Sequence, residues 1–303
     1  MKFIKNNFLL ILFLILGIFV AFKVYNLSNQ IIMNEKETLD QVAEICEQGK
    51  DDPEISNSEA CLDYFDDGFK TETTNFYYKL DNHLVFELRP FNLLAPLVLI
   101  IMSLFGVVNI FKERSAILML KREKYSTFLR KLFIKIYRYV WFWPLIMLII
   151  ITLFSHNATF DLENLSEMYY GETLMRNAPL FIFLYLLNIL IFSSFYINIA
   201  LIIMRKQHNY ALAVIESFLL IIAIELFLEI IIGNILFGLI LNDVQTGLVF
   251  NISNAFTFNI TEYSHGVISL FTFNISCFII SSIVVYFMYR NKEQLVIDCE
   301  KNN

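Results

Sequence analysis

Three carboxylates lie within one long apolar run, residues 211–241. They are Glu216, Glu225 and Glu229, and ionisable groups in such runs are rare and usually functional. Glu225 and Glu229 are four residues apart, so a helix places them one turn apart on the same face. They could line a pathway or a subunit interface for a cationic or amphipathic substrate. They could equally make a structural hydrogen bond between buried helices, and the residues favour neither reading.

The other reactive residue types form no catalytic pattern. The four histidines show no HExxH spacing, and the chain has neither a GxSxG motif nor a GxxxxGK(S/T) phosphate loop. The cysteines lack the spacing of zinc ligands. We therefore expect a non-catalytic chain with no metal or cofactor of its own and no nucleic-acid partner.

Membrane helices are the elements that must position these carboxylates. The chain is 57% hydrophobic and 17% charged, whereas a soluble domain is about 45–50% apolar and about 25% charged. The excess lies in runs that suit a bilayer crossing of about 20 residues, where backbone groups must bond within a helix. The fold predicted is an all-α polytopic membrane protein with six transmembrane helices. The runs are 8–21 or 8–25, 91–111, 139–154, 179–204, 211–241 and 266–289.

Lysine and arginine give this topology an orientation. Residues 112–138 carry nine basic residues against two acids, and further basic residues precede the first run and follow the fourth and the sixth. All of these fall on one side, which we predict to be cytosolic together with both termini. Residues 26–89 on the other side carry fifteen acids and five bases. The first run lacks a small-x-small cleavage site, so we expect a retained signal anchor in the plasma membrane.

The acidic segment between the first two runs is the largest soluble piece. Cys46 and Cys61 lie on its side of the membrane, where disulfides persist, so we predict that they pair; two unpaired thiols are the alternative. Closing a loop of about 15 residues stabilises by roughly 3 kcal/mol in the chain-entropy model. Cys277 and Cys299 are expected to stay reduced. Residues 35–47 and 57–69 should be helical, and the acidic surface either attracts a cationic ligand or is merely solvated.

The basic segment, residues 111–138, has an apolar side if it is helical. Leu118, Tyr125 and Phe128 begin this side, and Leu132 and Ile136 continue it. Because Ser126 suits a helix N-cap, we expect two short helices with a break near 123–126. Such a piece can lie on the membrane or insert into a groove of a partner.

The same segment resembles the coupling region of ABC-2-type ABC-transporter permeases. In that family an acidic-basic pair follows the second span, and about a dozen residues later comes a turn ending in Ser-Arg, an aromatic residue and a Lys. This chain has Glu113 and Arg114, then Tyr125 and Ser126, then Phe128. Thr127 stands where Arg is common, and Glu123 stands where Gly or Pro is common. Six spans, cytosolic termini, an outer segment after the first span and no ATPase domain also match.

The resemblance implies a coupling role for Glu113, Arg114, Leu118, Tyr125, Ser126 and Phe128. It also implies a cytosolic ATPase partner that holds ATP and Mg, and a second permease chain, identical or related. Ile-, Phe-, Asn- and Lys-rich composition is typical of low-GC bacteria, where such permeases often serve peptide or bacteriocin export or self-protection. A peptide, lipid or amphipathic drug-like molecule would be the substrate.

The predicted organisation has three parts. Residues 1–25 form the first helix, 26–90 the extracellular segment and 91–303 a five-helix domain that includes the coupling segment 111–138. Glycines near residues 233–238 interrupt the fifth run, so 233–265 should be an outer or re-entrant segment. The competing interpretation is a stand-alone six-helix receptor, sensor or immunity protein whose acidic ectodomain binds a cationic ligand. An intramembrane enzyme is the third.

Overall fold

Helices make up almost all of the part of the chain that the structure describes. The computed structural model describes residues 2–50, 55, 58, 61, 75–80, 89–105, 107, 119, 121–156, 158–160, 176–207, 209–248, 250 and 266–293. Over these residues there is no strand, and the one β-bridge that pairs two of them, Asn75 with Thr159, is isolated. The elements are α1 (Lys2–Gln48), α2 (Phe76–Tyr78), α3 (Arg89–Phe105), α4 (Tyr125–Tyr137), a 3-10 turn (Arg138–Trp141), α5 (Phe142–Ser155), α6 (Ala178–Lys206), α7 (Tyr210–Leu226), a π-helix (Phe227–Ile240), α8 (Val244–Leu248) and α9 (Gly266–Arg290).

Five helical stretches among the described residues are long and apolar enough to cross a bilayer. They are Ile11–Gln48, Tyr125–Ser155, Ala178–Lys206, Tyr210–Ile240 and Phe271–Arg290. The second predicted run is represented by a shorter apolar helix, Pro96–Phe105, within α3. An all-α membrane protein is therefore what the structure supports, and the count of six spans stays a prediction.

The first helix is longer than expected. The sequence suggested a span ending near residue 25 and a separate helix over 35–47, whereas α1 runs unbroken for 47 residues. The reason is that residues 18–48 contain neither glycine nor proline to end it. It stops at Gln48, where Gly49 follows and donates its backbone N–H to the Ile45 carbonyl over 2.9 Å.

Helix α6 lies at the centre of the bundle and contacts α3, α5, α7 and α9. Its N-terminus is capped by the Asn177 side chain, and Arg205 and Lys206 occupy its last turn, where positive charge suits the helix dipole. The following helix, α7, is capped by Asn209, whose side chain accepts from Ala211 N at 3.0 Å. Only three residues, 207–209, separate the end of α6 from the start of α7.

The first helix packs against α5 and runs in the same direction. The Phe13 and Phe142 rings meet edge to face at 6.3 Å. One turn further along both helices, a Cβ added at Gly17 would lie 2.2 Å from Cδ1 of Ile146. Gly17 therefore lets the two backbones approach closely.

The fifth apolar run does not break at its glycines, contrary to expectation. It continues from α7 into a π-helix of 14 residues and ends at Leu241, after which Asn242 takes a left-handed backbone with φ 53°. The short helix α8 then folds back onto the π-helix. Gly233 and Gly247 touch there: a Cβ added to either one would lie 2.6 Å from the carbonyl oxygen of the other. The glycines thus permit backbone contact rather than ending the helix.

A compact aromatic cluster closes the end of the bundle formed by the end of α5 and the start of α6. Phe76 N donates to Thr159 O at 2.9 Å, and the Phe76 ring lies 4.9 Å from that of Phe160. Tyr77 packs edge to face on Phe181 at 5.4 Å. Burial raises the pKa of Tyr77 to about 12 and lowers the pKa of Lys79, because each charged form would lose hydration.

The predicted disulfide is present in the structure. Cys46, near the end of α1, is bonded to Cys61 with their Cα atoms 5.4 Å apart. Cys277 is a free, partly buried thiol in α9, whereas Cys299 lies outside the described residues. The bond pins the end of α1 to the segment that follows it.

Candidate functional site

The start of α4 is anchored inside the chain's own core. Phe128, Leu132 and Ile136 line the buried side of α4, at the helical spacing expected from the sequence. Phe128 is only 1% exposed, and its ring stacks on that of Tyr125 with 6.4 Å between centroids. The Tyr125 hydroxyl donates to the backbone carbonyl of Tyr289 at the end of α9.

Tyr289 joins three helix ends at this point. Its hydroxyl donates to the Leu201 carbonyl in α6 at 2.9 Å, and its ring lies 5.9 Å from that of Phe133 in α4. The guanidinium of Arg205 lies 5.9 Å from the centre of the same ring, at a distance suited to cation–π attraction. We call Tyr125, Phe133, Leu201, Arg205 and Tyr289 the Tyr289 junction.

The helix starts two residues earlier than the sequence suggested, because Lys124 and not Ser126 is its N-cap. Lys124 has an extended backbone, and its carbonyl accepts from the amides of Thr127 and Phe128 at 3.0 and 3.1 Å. Ser126, expected to be the N-cap, is instead an exposed residue in the first turn. The expected break before this helix is present, since Glu123 and Lys124 are not helical.

The side of this end that faces away from the bundle is basic. Lys121, Arg122, Lys124, Arg130 and Lys131 are all exposed, and Lys131 forms an ion pair with the half-buried Glu123. Exposed ion pairs of this kind contribute about 0–1 kcal/mol. We refer to these five cations as the basic face.

The predicted coupling residues thus fall into three groups. Tyr125 and Phe128 belong to the packed interior of the helix end, and Ser126 is exposed beside the basic face. Glu113, Arg114 and Leu118 lie outside the described residues. The helix from Tyr125 continues through the 3-10 turn into α5, so residues 125–138 of the predicted coupling segment and the third apolar run form one helical stretch from Tyr125 to Ser155.

The three carboxylates of the fifth run are not brought together at one point. Glu216, in the second turn of α7, accepts a hydrogen bond at 3.1 Å from the side chain of Gln207, which follows the end of α6. Glu225, near the end of α7, lies 3.5 Å from the Tyr196 hydroxyl, which makes a weak contact longer than the usual hydrogen bond of about 2.5–3.0 Å between oxygens. Glu229 is half-buried in the first turn of the π-helix. Tyr196, missed by the sequence analysis, is 1% exposed.

Polar side chains also join α6 to α9 within the apolar bundle. Asn198 donates to Ser281 at 2.9 Å and to Ser282 at 3.0 Å, and it accepts from the Tyr137 hydroxyl. About three turns away, Asn274 donates to Asn188 at 2.6 Å. The sequence offered a signal for these contacts, because Asn and Ser inside apolar spans usually face another helix.

Among the described residues, no group of three or more His, Cys, Asp or Glu side chains is placed to hold a metal ion. No family model, curated protein or solved structure matches the chain.

Proposed function

We propose that this chain is the permease subunit of an ABC-2-type exporter, driven by ATP hydrolysis on a separate cytosolic chain. It would form the translocation pathway for a peptide, lipid or amphipathic drug-like substrate, together with a second permease chain. The observation that carries the proposal is the continuous helical stretch from Tyr125 to Ser155, whose basic end is exposed and whose interior is locked into the bundle.

The exposed side and the buried side of the start of α4 would have different roles in coupling. The basic face and Ser126 are available to a partner with an acidic docking surface. Phe128 is buried against the chain itself, and the hydroxyl of Tyr125 is bonded to Tyr289. These two residues would therefore pass on the movement rather than touch the ATPase. Glu113, Arg114 and Leu118 keep the coupling role that the resemblance implies.

Through the Tyr289 junction, a movement of the start of α4 could displace the ends of α6 and α9 as well. Closure of two ATPase subunits on ATP and Mg would press on the exposed end of α4. Because Tyr125 and Phe133 both contact Tyr289, and Tyr289 is bonded to Leu201, the ends of α4, α6 and α9 would move as a unit. Packed elements of this kind transmit rigid-body shifts instead of deforming continuously.

Glu225 with Tyr196, and Glu229 one turn on, would provide the polar lining of the pathway. Asp or Glu residues within a span favour contact with water or a polar partner over lipid. Glu216, held by Gln207 in the turn between α6 and α7, would lie at the entrance.

The proposal predicts that a gene for an ATP-binding subunit lies beside the gene for this chain, and co-purification with that subunit tests it. We expect the parent chain to retain the ATPase, and Lys124→Glu with Arg130→Glu to reduce retention at least tenfold. The matched control is Arg290→Glu with Lys292→Glu, which reverses two exposed cations at the end of α9. If the parent retains no ATPase, or if both double variants retain it equally, the proposal is wrong.

One observation favours the receptor or immunity interpretation as the second candidate. Helix α1 is about 70 Å long at 1.5 Å per residue, which is more than twice a bilayer core of about 30 Å. Its far end carries exposed Glu37, Asp40 and Glu44, and the Cys46 disulfide ties it down. Saturable binding of a cationic peptide by a chain that retains no ATPase would favour this candidate.

A further inference from the structure

We propose that the outer side of the α4–α5 stretch is a binding site for one anionic phospholipid. The phosphate would lie between Lys135 and Arg138, and an acyl chain would follow Trp141, Leu145 and Leu148. This inference is independent of the proposed transport function.

The apolar part of the site is an exposed stripe on one side of the helix. Trp141, Leu145 and Leu148 are 59%, 46% and 44% exposed, and they recur every three or four residues, as one helix face requires. Their neighbours Phe142, Ile146 and Ile150 are buried in the bundle. The stripe therefore points away from the protein and towards whatever surrounds the bundle.

The charged part lies at one end of that stripe. Arg138 is exposed and Lys135 is half-buried, and the two are three residues apart, so they are neighbours on the helix surface. The Arg138 guanidinium donates to the Tyr139 hydroxyl and lies 4.6 Å from the centre of its ring. This contact holds the positive charge at the level of the 3-10 turn instead of letting it extend away from the bundle.

The length of the helix places this end at the membrane surface. The 31 residues of Tyr125–Ser155 extend about 46 Å, against about 30 Å for the hydrocarbon core. Residues 139–155 are almost wholly apolar and span about 26 Å. Arg138 and Lys135 are therefore at headgroup depth, and Trp141 lies in the interfacial layer that tryptophan prefers.

Charge complementarity selects the occupant. Two adjacent cations above an apolar stripe match the phosphate and acyl chain of an anionic phospholipid, with a preference over a zwitterionic lipid of about fivefold per cation. A second protein surface packed on the stripe would have to present an acid beside an apolar ridge, within the membrane. Lipid meets both requirements with one molecule.

The two tryptophans of the chain, Trp141 and Trp143, make the test direct. Trp143 is only 6% exposed, and Trp143→Phe leaves Trp141 as the only tryptophan, whose indole can be excited selectively over tyrosine. The full-length variant is reconstituted in vesicles whose phosphatidylglycerol or phosphatidylcholine carries brominated acyl chains, which quench indole on contact. We expect brominated phosphatidylglycerol to bind beside Trp141 at least fivefold more strongly.

Removing the cations should remove that preference. In Lys135→Gln with Arg138→Gln, the relative affinity of the two lipids should fall to about one. Lys121→Gln with Arg122→Gln removes two exposed cations beyond the start of α4 and should leave the preference intact. Equal quenching by both lipids in the parent, or a preference that survives the first double variant, overturns the proposal.

Two further outcomes guard the interpretation. If neither lipid quenches Trp141, protein covers the stripe and the lipid site is refuted. If Trp143→Phe does not fold, native mass spectrometry can compare the parent with Lys135→Gln, Arg138→Gln. Only the parent should retain a phosphatidylglycerol molecule. Excess inorganic phosphate should not displace this molecule, since the acyl chain contributes to its binding; displacement would reduce the site to a phosphate site.

Discussion

The hydroxyl of Tyr125 donates a hydrogen bond to the main-chain carbonyl of Tyr289. The two residues are 164 positions apart in the chain, at the first turn of α4 and the last turn of α9. Tyr289 in turn is bonded to the backbone of α6 through its own hydroxyl. A partner that moves the start of α4 thereby also moves the ends of two other long helices.

Tyr125→Phe should loosen the Tyr289 junction without emptying its core. The ring remains, but one carbonyl loses its side-chain donor, so the free energy of unfolding should fall by about 1 kcal/mol. Thermal unfolding in detergent measures the change. The control is Tyr286→Phe, since Tyr286 is 61% exposed. Identical melting temperatures for the two variants would contradict the structural role of the bond.

Asn198→Leu removes the acceptor of Tyr137 and the donor to Ser281 and Ser282. Hydrogen bonds between membrane helices average about 0.6 kcal/mol, with a maximum near 1.7, so we expect a loss of about 1–3 kcal/mol. Asn234→Leu makes the same change at an exposed position in the π-helix and should be neutral or stabilising. Unfolding in a denaturant series measures the stability of both variants. Equal losses of stability would show that the hydrogen bonds between α6 and α9 contribute little.

Gly233→Ala should separate α8 from the π-helix, because the new methyl group would lie 2.6 Å from the Gly247 carbonyl oxygen. Gly238→Ala is the matched control, where the nearest atom is 3.6 Å away. There the better helix propensity of alanine should give no loss. In a chain whose Cys277 and Cys299 are replaced by serine, Thr246→Cys reports the displacement through faster maleimide labelling in Gly233→Ala. Equal labelling in both backgrounds would show that the contact is not maintained.

Cys46 and Cys61 should resist labelling by a thiol reagent until their disulfide is reduced. Without reduction, only Cys277 and Cys299 can react with a maleimide in the unfolded chain, and reduction should add Cys46 and Cys61. Replacing both bonded cysteines with serine should lower stability by roughly 3 kcal/mol, as expected for a closed loop of about 15 residues. Mass spectrometry counts the labels. Four labels before reduction would exclude the bond.

Glu225→Gln separates the pathway role from a structural one. The amide keeps an acceptor oxygen for Tyr196, so unfolding should be little changed, whereas ATP-driven uptake of a cationic dye into inside-out vesicles should fall at least tenfold. Glu293→Gln changes an exposed carboxylate outside the spans and should transport normally. Normal transport by Glu225→Gln would exclude Glu225 from the pathway.

Local signals in the sequence were enough for several features. The apolar runs predicted the long helices, the compartment argument predicted the Cys46–Cys61 pair, and the spacing of Phe128, Leu132 and Ile136 predicted a buried side of α4. Each of these depends on residues that are near one another in sequence, or on a general rule about composition. The break before Tyr125 belongs to the same group.

Other features depended on neighbours that the sequence does not identify. The apolar side containing Phe128 could have faced the chain itself or a partner, and only the packing of α4 against the other helices of the bundle decides between them. The same is true of Tyr289 and Asn198, whose hydrogen-bond partners are 61 to 164 positions away in the chain. Glycine can end a helix or allow two backbones to come close, and the sequence alone does not distinguish these two uses. Gly233 was predicted to interrupt the helix, but in the structure it allows close contact with Gly247.

The unbroken first helix turns a small rotation into a large displacement. It touches α5 at Gly17 and is held again at Cys46, about 44 Å further along at 1.5 Å per residue. A tilt of about 10° around the Gly17 contact would carry the disulfide roughly 8 Å sideways. The position of the acidic end of α1 therefore depends strongly on the angle at which α1 packs against α5.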